Sequence, residues 1–223
     1  MSSPSRAAAS RPGPRPRHTR EEVLTVALRV IDSSNAEAFT MRRVADELGI
    51  AVMTLYGYVA NKEELLAGVT ELAFAEVGQA VAADAPWDER LRADVIRLHG
   101  VARRHPRLVT LVLAQSSAVP ALFRMRERML DVLLEAGFDE RPALHALGVV
   151  CHYAVGFAGA QAGAPPFDLP DRLRELPADE FPRLAAVADT YAEHLSDEAF
   201  AFGLELLLRG LRWVRDPKPR PRG

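Results

Sequence analysis

Apolar residues recur along this chain at intervals of three and four, and no stretch alternates apolar with polar as a half-buried strand would. That regularity confines the fold to the all-α class. From Thr19 the stripe Leu24, Ala27, Leu28 and Ile31 follows helical spacing behind a Thr19/Glu22 pair of the capping-box type. Thr40 caps a short segment carrying Val44, Ala45 and Leu48, which Gly49 ends, and a third short segment covers 52–59. Asn61 with Glu64 opens a long helix expected to run to about residue 82, on the order of 30 Å at ~1.5 Å per residue. Further helices are expected at 88–104, 107–115, 120–136 and 141–162, punctuated by Pro106, Pro120, Gly137 and Pro142. Residues 163–181, rich in proline, read as a long loop, and a helix over 182–194 follows. Ser196 caps the last helix, whose stripe is Phe200, Leu204, Leu207, Leu208 and Leu211.

Two short helices joined at a glycine make a helix-turn-helix arrangement. Its buried set is Val44, Ala45, Leu48, Ile50, Leu55 and Val59. Ala51, Val52, Met53, Thr54, Tyr56, Gly57 and Tyr58 are then left over by the core, where a recognition helix presents side chains to a major groove. Thr54 and the hydroxyls of Tyr56 and Tyr58 suit phosphates, and Val52 and Met53 suit thymine methyls. Arg42, at the start of the helix after Thr40, suits a phosphate or a guanine edge, and Lys62, at the start of the long helix, adds a phosphate contact.

The net charge of −2 hides an uneven distribution. Residues 1–20 carry five arginines and no acid, residues 21–66 have a net charge of −4, residues 67–215 of −5 and residues 216–223 of +2. Residues 1–18, with Pro4, Pro12, Pro14 and Pro16, read as a disordered basic arm suited to phosphates or a minor groove. Cys151 is the only cysteine, which excludes an intramolecular disulfide framework and fits a reducing cytoplasm. The uncharged stretch 142–167 contains histidines, a glutamine and four glycines, and reads as a helix buried in protein rather than in lipid.

The string from Thr40 through Arg42, Ala45, Leu48, Gly49 and Ile50, followed by Thr54-Leu55-Tyr56-Gly57-Tyr58-Val59-Ala60-Asn61-Lys62 and Leu65-Leu66, resembles the DNA-binding domain of the Tet-repressor family of bacterial regulators. Trp87, Glu135-Ala136-Gly137-Phe138 and Phe202-Gly203-Leu204-Glu205 with Arg209-Gly210 look like the C-terminal domain of its tetracycline-repressor subgroup. The resemblance spans about residues 19–214. It implies a helix-turn-helix domain at 19–66, a ligand-binding and dimerisation domain at 67–215 and a flexible tail at 216–223, with the long helix joining head to body. It further implies a homodimer on a palindromic operator, with helices 141–162 and 196–215 forming a four-helix bundle across the two-fold. The stripe Phe200, Leu204, Leu207, Leu208 and Leu211 would make its seam.

In the family a small molecule fills a cavity in the larger domain, and the long helix swings and changes the separation of the recognition helices. Repression is the direction the resemblance implies. The positions that would hold tetracycline and its Mg²⁺ align with Gly78, Asp94, Leu98, a residue near Leu113, and Ala160, a set lacking the expected imidazoles and glutamate. A mostly apolar effector of unknown identity is expected instead, lined by Leu98, Leu113, Phe123, Met129, Tyr153 and Phe157, with His152 or Gln161 as polar anchors. No metal, cofactor or catalytic residue is expected, and no membrane; the location is cytoplasmic. The alternatives are an all-α enzyme using His99 and His105 or His145 and His152, against which stands the lack of any nucleophile or phosphate-loop motif, and a helical adaptor that does not read DNA.

Overall fold

The computed structural model describes residues 18–33, 39–78, 82, 84–114, 119–163 and 169–216. Among these, every regular element is helical: α1 (Arg20–Ser33), α2 (Met41–Leu48), α3 (Val52–Leu55), α4 (Lys62–Phe74), α5 (Trp87–Arg104), α6 (Pro106–Ala114), α7 (Pro120–Glu135), α8 (Glu140–Gly163), α9 (Leu169–Arg174), α10 (Pro182–Ala186) and α11 (Asp197–Arg215), with 3-10 turns at Ala75–Gly78 and Tyr191–Leu195. The basic arm, residues 1–17, and the terminal residues 217–223 lie outside the described residues.

The sequence signals act as caps. Thr19 N–H donates to Glu22 Oε2 at 2.8 Å and Glu22 N–H to Thr19 Oγ1 at 3.1 Å, closing the capping box of α1. Thr40 Oγ1 accepts from Arg43 N–H at 3.2 Å, and Ser196 Oγ from Ala199 N–H at 3.1 Å. Asn61 Oδ1 accepts from Glu64 N–H at 2.7 Å while Glu64 Oε2 takes the Ala60 N–H at 2.7 Å, which holds the Glu64 carboxyl below its usual range. Gly49 sits at φ 65, where a side chain would be strained, and Ile50 N–H reaches back to the Ala45 carbonyl at 3.0 Å, so α2 ends in a Schellman-type turn.

Three expectations are corrected. The helix begun at Asn61 does not continue to residue 82: α4 stops at Phe74 and tightens into the 3-10 turn at Ala75–Gly78, whose Val77 carbonyl accepts from Arg128 Nη2. The loop 163–181 contains α9, with Pro170 tolerated in its first turn. The helix over 182–194 is only the five residues of α10, then a separate 3-10 turn. No residue of α10 is buried, so no apolar face sustains a longer helix there.

The reading head closes around Val23, Ala27, Ile31, Phe39, Val44, Ala45, Leu55, Val59 and Leu65, all essentially inaccessible. In the body, α8 runs through the middle with Ala143, Ala146, Val150, Ala154 and Ala158 turned inward, and α5, α6, α7 and α11 pack around it. By length and composition α8 could cross a membrane, but its inward row is covered by the neighbouring helices. Where α8 meets α11, Tyr153 Oη donates to the Phe200 carbonyl at 2.8 Å, and Gly203 leaves the room its ring occupies. A Cβ at Gly203 would run into the Tyr153 ring. Gly203→Ala is therefore expected to destabilise the protein by about 1–3 kcal/mol, the usual cost of overpacking, read as a lowered urea midpoint.

Candidate functional site

The head presents its residues as the core leaves them. Arg42, Met53, Thr54, Tyr56 and Gly57 are exposed, Met53 by 79% and Tyr56 by 44%. Leu55, between them, is fully buried and anchors α3. Val52 and Tyr58, expected to be free, are half-buried against the core, and Tyr58 Oη accepts from His18 N–H at 3.4 Å. Leu48 and Ile50, expected inside, are also only half-buried. Lys62 lies over the Phe39 ring, Nζ 5.2 Å from its centroid, so its ammonium is held at the start of α4. Arg43, Asp46 and Glu47 are exposed as well, so the outer side of α2, α3 and the turn after it carries two arginines, two acids, a methionine, a threonine and a tyrosine around Gly57.

The residues expected around one ligand cavity are dispersed. Leu98 and Met129 are core residues, and Phe123 is exposed on α7. Tyr153, Phe157 and Gln161 form a cluster with α5 and α11 instead. Within it the His99 ring stacks on Phe200 at 3.7 Å between centroids, and its Nε2–H donates to Gln161 Oε1 at 2.8 Å. Phe157 packs edge-on to His99 and Phe200, and Gln161 Nε2 donates on to the Leu195 carbonyl at 2.8 Å. Sequence spacing cannot show this, because His99 and Gln161 lie 62 residues apart.

Leu113 and His152 do reach cavities. One, of about 510 Å³, is lined by aliphatic and glycine residues of α8 and by Leu113 of α6, with Arg126 of α7, Cys151 and His152. Burial pushes the Cys151 thiol up to about 11, so it stays protonated at neutral pH. The other, of about 570 Å³, lies between α6 and α8; Leu113 and Val155 are walls of both. His152 spends Nδ1 on the Gly148 carbonyl at 2.7 Å, within its own helix. Among the described residues no group of histidine, cysteine and acid side chains is arranged to hold a metal. Asp94, where a tetracycline site would need a neutral amide, is buried and paired instead with Arg128 at 3.2 Å and Arg97 at 3.4 Å.

The stripe assigned to the dimer seam turns inward: Phe200, Leu204 and Leu208 are buried within the chain, and Leu207 and Leu211 are half-buried. The outward face of α11 is Phe202, Leu206, Trp213 and Val214, with Phe202 68% and Trp213 64% exposed. Leu144 and Val149 stand exposed on α8. Glu205 on α11 is gripped by Arg92 and Arg209, with Arg212 further off, and Arg92 foremost draws its carboxyl down to about 2.

The His99 cluster carries a pH signature. Desolvation lowers the His99 pKa below its ordinary 6.5, opposed by the Gln161 hydrogen bond. The unfolded chain then takes up this proton first, so the stability contributed is present above 6.5 and is lost as pH falls toward the folded value. The urea midpoint should drop between about pH 7.5 and pH 5.5, and His99→Asn should drop less; equal slopes would show that His99 is not the group responsible.

Residues 23–69 match the family described as bacterial regulatory proteins, tetR family, and residues 82–215 match the tetracyclin repressor-like C-terminal domain. The chain is 27% identical to the HTH-type transcriptional repressor DrrR1 of Streptomyces coeruleorubidus over 215 residues, covering 89% of this chain and 79% of that one. It is similar in structure to the transcriptional regulator SCO7222 of Streptomyces coelicolor, with a TM-score of 0.73, 26% identity and coverage of 89% and 99%. ActR of the same organism, in complex with actinorhodin, superposes with a TM-score of 0.73 at 25% identity, covering 89% and 99%.

Proposed function

Since the chain belongs to the tetR family of bacterial regulatory proteins, we infer that it is a ligand-responsive, DNA-binding transcriptional repressor, released from a palindromic operator by a small and mostly apolar effector. The observation that carries the reading is the surface around Gly57. Leu55 and Val59 bury completely while Met53, Thr54 and Tyr56 between and beside them stay exposed, so the chain holds apolar and aromatic side chains in water where a major groove would cover them. Arg42, Lys62 and the hydroxyls of Thr54, Tyr56 and Tyr58 serve the phosphates, and Val52 and Met53 the thymine methyls. The head comprises residues 19–66 and the body residues 67–215. It acts in the cytoplasm, on DNA.

The operator is read twice, by two copies of the chain whose α3 helices meet half-sites ~34–36 Å apart. The exposed apolar row Phe202, Leu206 and Trp213 on α11, with Leu144 and Val149 on α8, is the surface that a second copy covers; left in water it would favour association in any case. The effector occupies the cavities flanking α8, whose walls are mostly aliphatic and glycine. The ActR complex with actinorhodin supports an organic ligand for this body.

Fluorescence anisotropy against the promoter of its own gene tests the reading. A dimer should bind it selectively and Tyr56→Ala should weaken that binding by about tenfold, or about 1.4 kcal/mol, without changing the oligomeric state. Equal affinity for random DNA would remove the repressor reading. The dimer face is tested separately: Leu206→Asp should sediment as a monomer, and an unchanged dimer would place the interface elsewhere.

A further inference from the structure

The last turn of α1 carries no basic side chain of its own. Its final carbonyls lack intrahelical donors and form the negative end of the helix dipole. The missing cation comes from the body. Arg107, in the first turn of α6, donates from Nη1 to the Asp32 main-chain carbonyl. His105, at the corner where α5 ends, brings Nδ1 to 2.8 Å from Asp32 Oδ2. Two residues of the body thus grip one residue of the head, at a point well apart in sequence from α4. The grip is incomplete, since Asp32 Oδ1 is buried without a hydrogen-bond partner among the described residues. A half-satisfied carboxylate makes the contact easier to lose than a closed network would be.

Arg107 has a second face. It is also a wall of the cavity between α6 and α8, which is otherwise lined by Ala102, Pro106, Val109, Leu113, Val155 and small residues of α8, with Thr110 the other polar side chain. Among the described residues Arg107 is the only charged one in that lining, and the Thr110 hydroxyl is already spent on the Pro106 carbonyl at 3.0 Å. The guanidinium, already donating from Nη1 to the Asp32 carbonyl, is the polar group this lining offers a ligand. An anion offers that guanidinium two oxygens and a full charge, where Asp32 offers one neutral carbonyl.

We propose that the effector is an apolar molecule ending in an anionic group, and that this anion takes Arg107 from Asp32 and so loosens the head from the body. The proposal rests on the repressor reading and adds to it the ligand class and the route by which occupancy reaches α1. In this proposal the clasp belongs to the operator-binding state, and breaking it imitates the effector.

The test uses the full chain and two dyes with one aromatic framework, 8-anilinonaphthalene-1-sulfonate and the uncharged N-phenyl-1-naphthylamine. Arg107→Gln should weaken binding of the sulfonate by about tenfold and leave the uncharged dye unaffected, while Arg107→Lys keeps most of the sulfonate affinity. An unchanged sulfonate affinity in Arg107→Gln, or an equal loss for both dyes, overturns the anion site. Without dye, Arg107→Gln should lower operator affinity by about fivefold. Unchanged operator affinity in Arg107→Gln, with circular dichroism showing the fold intact, overturns the route. If the wild type shows no operator preference, the repressor reading has failed, and the dye comparison still decides the anion site.

Discussion

Everything in the body depends on how closely α5 can lie against α8. The inward row of α8 is almost all alanine and valine: Ala143, Ala146, Val150, Ala154 and Ala158. Small side chains let the two backbones approach, and close-packed contact of that kind has no spare volume to give. With α5 seated, the remaining faces of α8 are committed. The next face takes α11 through Tyr153 and the room left by Gly203, the flanks open into the two cavities beside α6 and α7, and Leu144 and Val149 point outward. One helix therefore sets both cavities proposed for the effector and part of the exposed apolar surface proposed for a second copy.

The head obeys a different economy. It has few bases and more acids, so general attraction to DNA cannot supply most of its affinity. What it offers is position. Leu55 buried beside exposed Met53 and Tyr56 holds a short α3 at a set angle, and two such heads gain from being held at one spacing. A switch in such a protein needs only to disturb spacing, and the body has two holds suited to that, Arg128 on the turn after α4, which leads from the head, and His105 and Arg107 on the end of α1 in the head itself.

Local chemistry was legible in the sequence. The caps at Thr19, Thr40, Asn61 and Ser196 and the turn at Gly49 appear where the residue types place them, since each satisfies its own neighbours' backbone groups. The exposed residues of α3 followed from subtracting the core, except that Val52 and Tyr58 lean on it. Long-range partners were not legible. Leu98, Met129, Tyr153 and Phe157 are apolar residues at helical spacing, and spacing says that a face is buried without saying whether it meets a ligand, a neighbouring helix or a second chain.

The last helix shows the division most clearly. The sequence by itself determined that residues 197–215 are helical and that Phe200, Leu204 and Leu208 lie on its strongest apolar face, because caps and periodicity are properties of neighbours along the chain. Only the tertiary structure decided that this face is used up within the chain by α5 and α8, leaving Phe202, Leu206 and Trp213 outward, because which of two apolar faces is covered depends on helices more than forty residues away. The grip of Arg107 and His105 on Asp32 has the same origin: more than seventy residues separate the partners, and only packing α6 against α1 brings a guanidinium to the carbonyl that the helix dipole leaves in want of one.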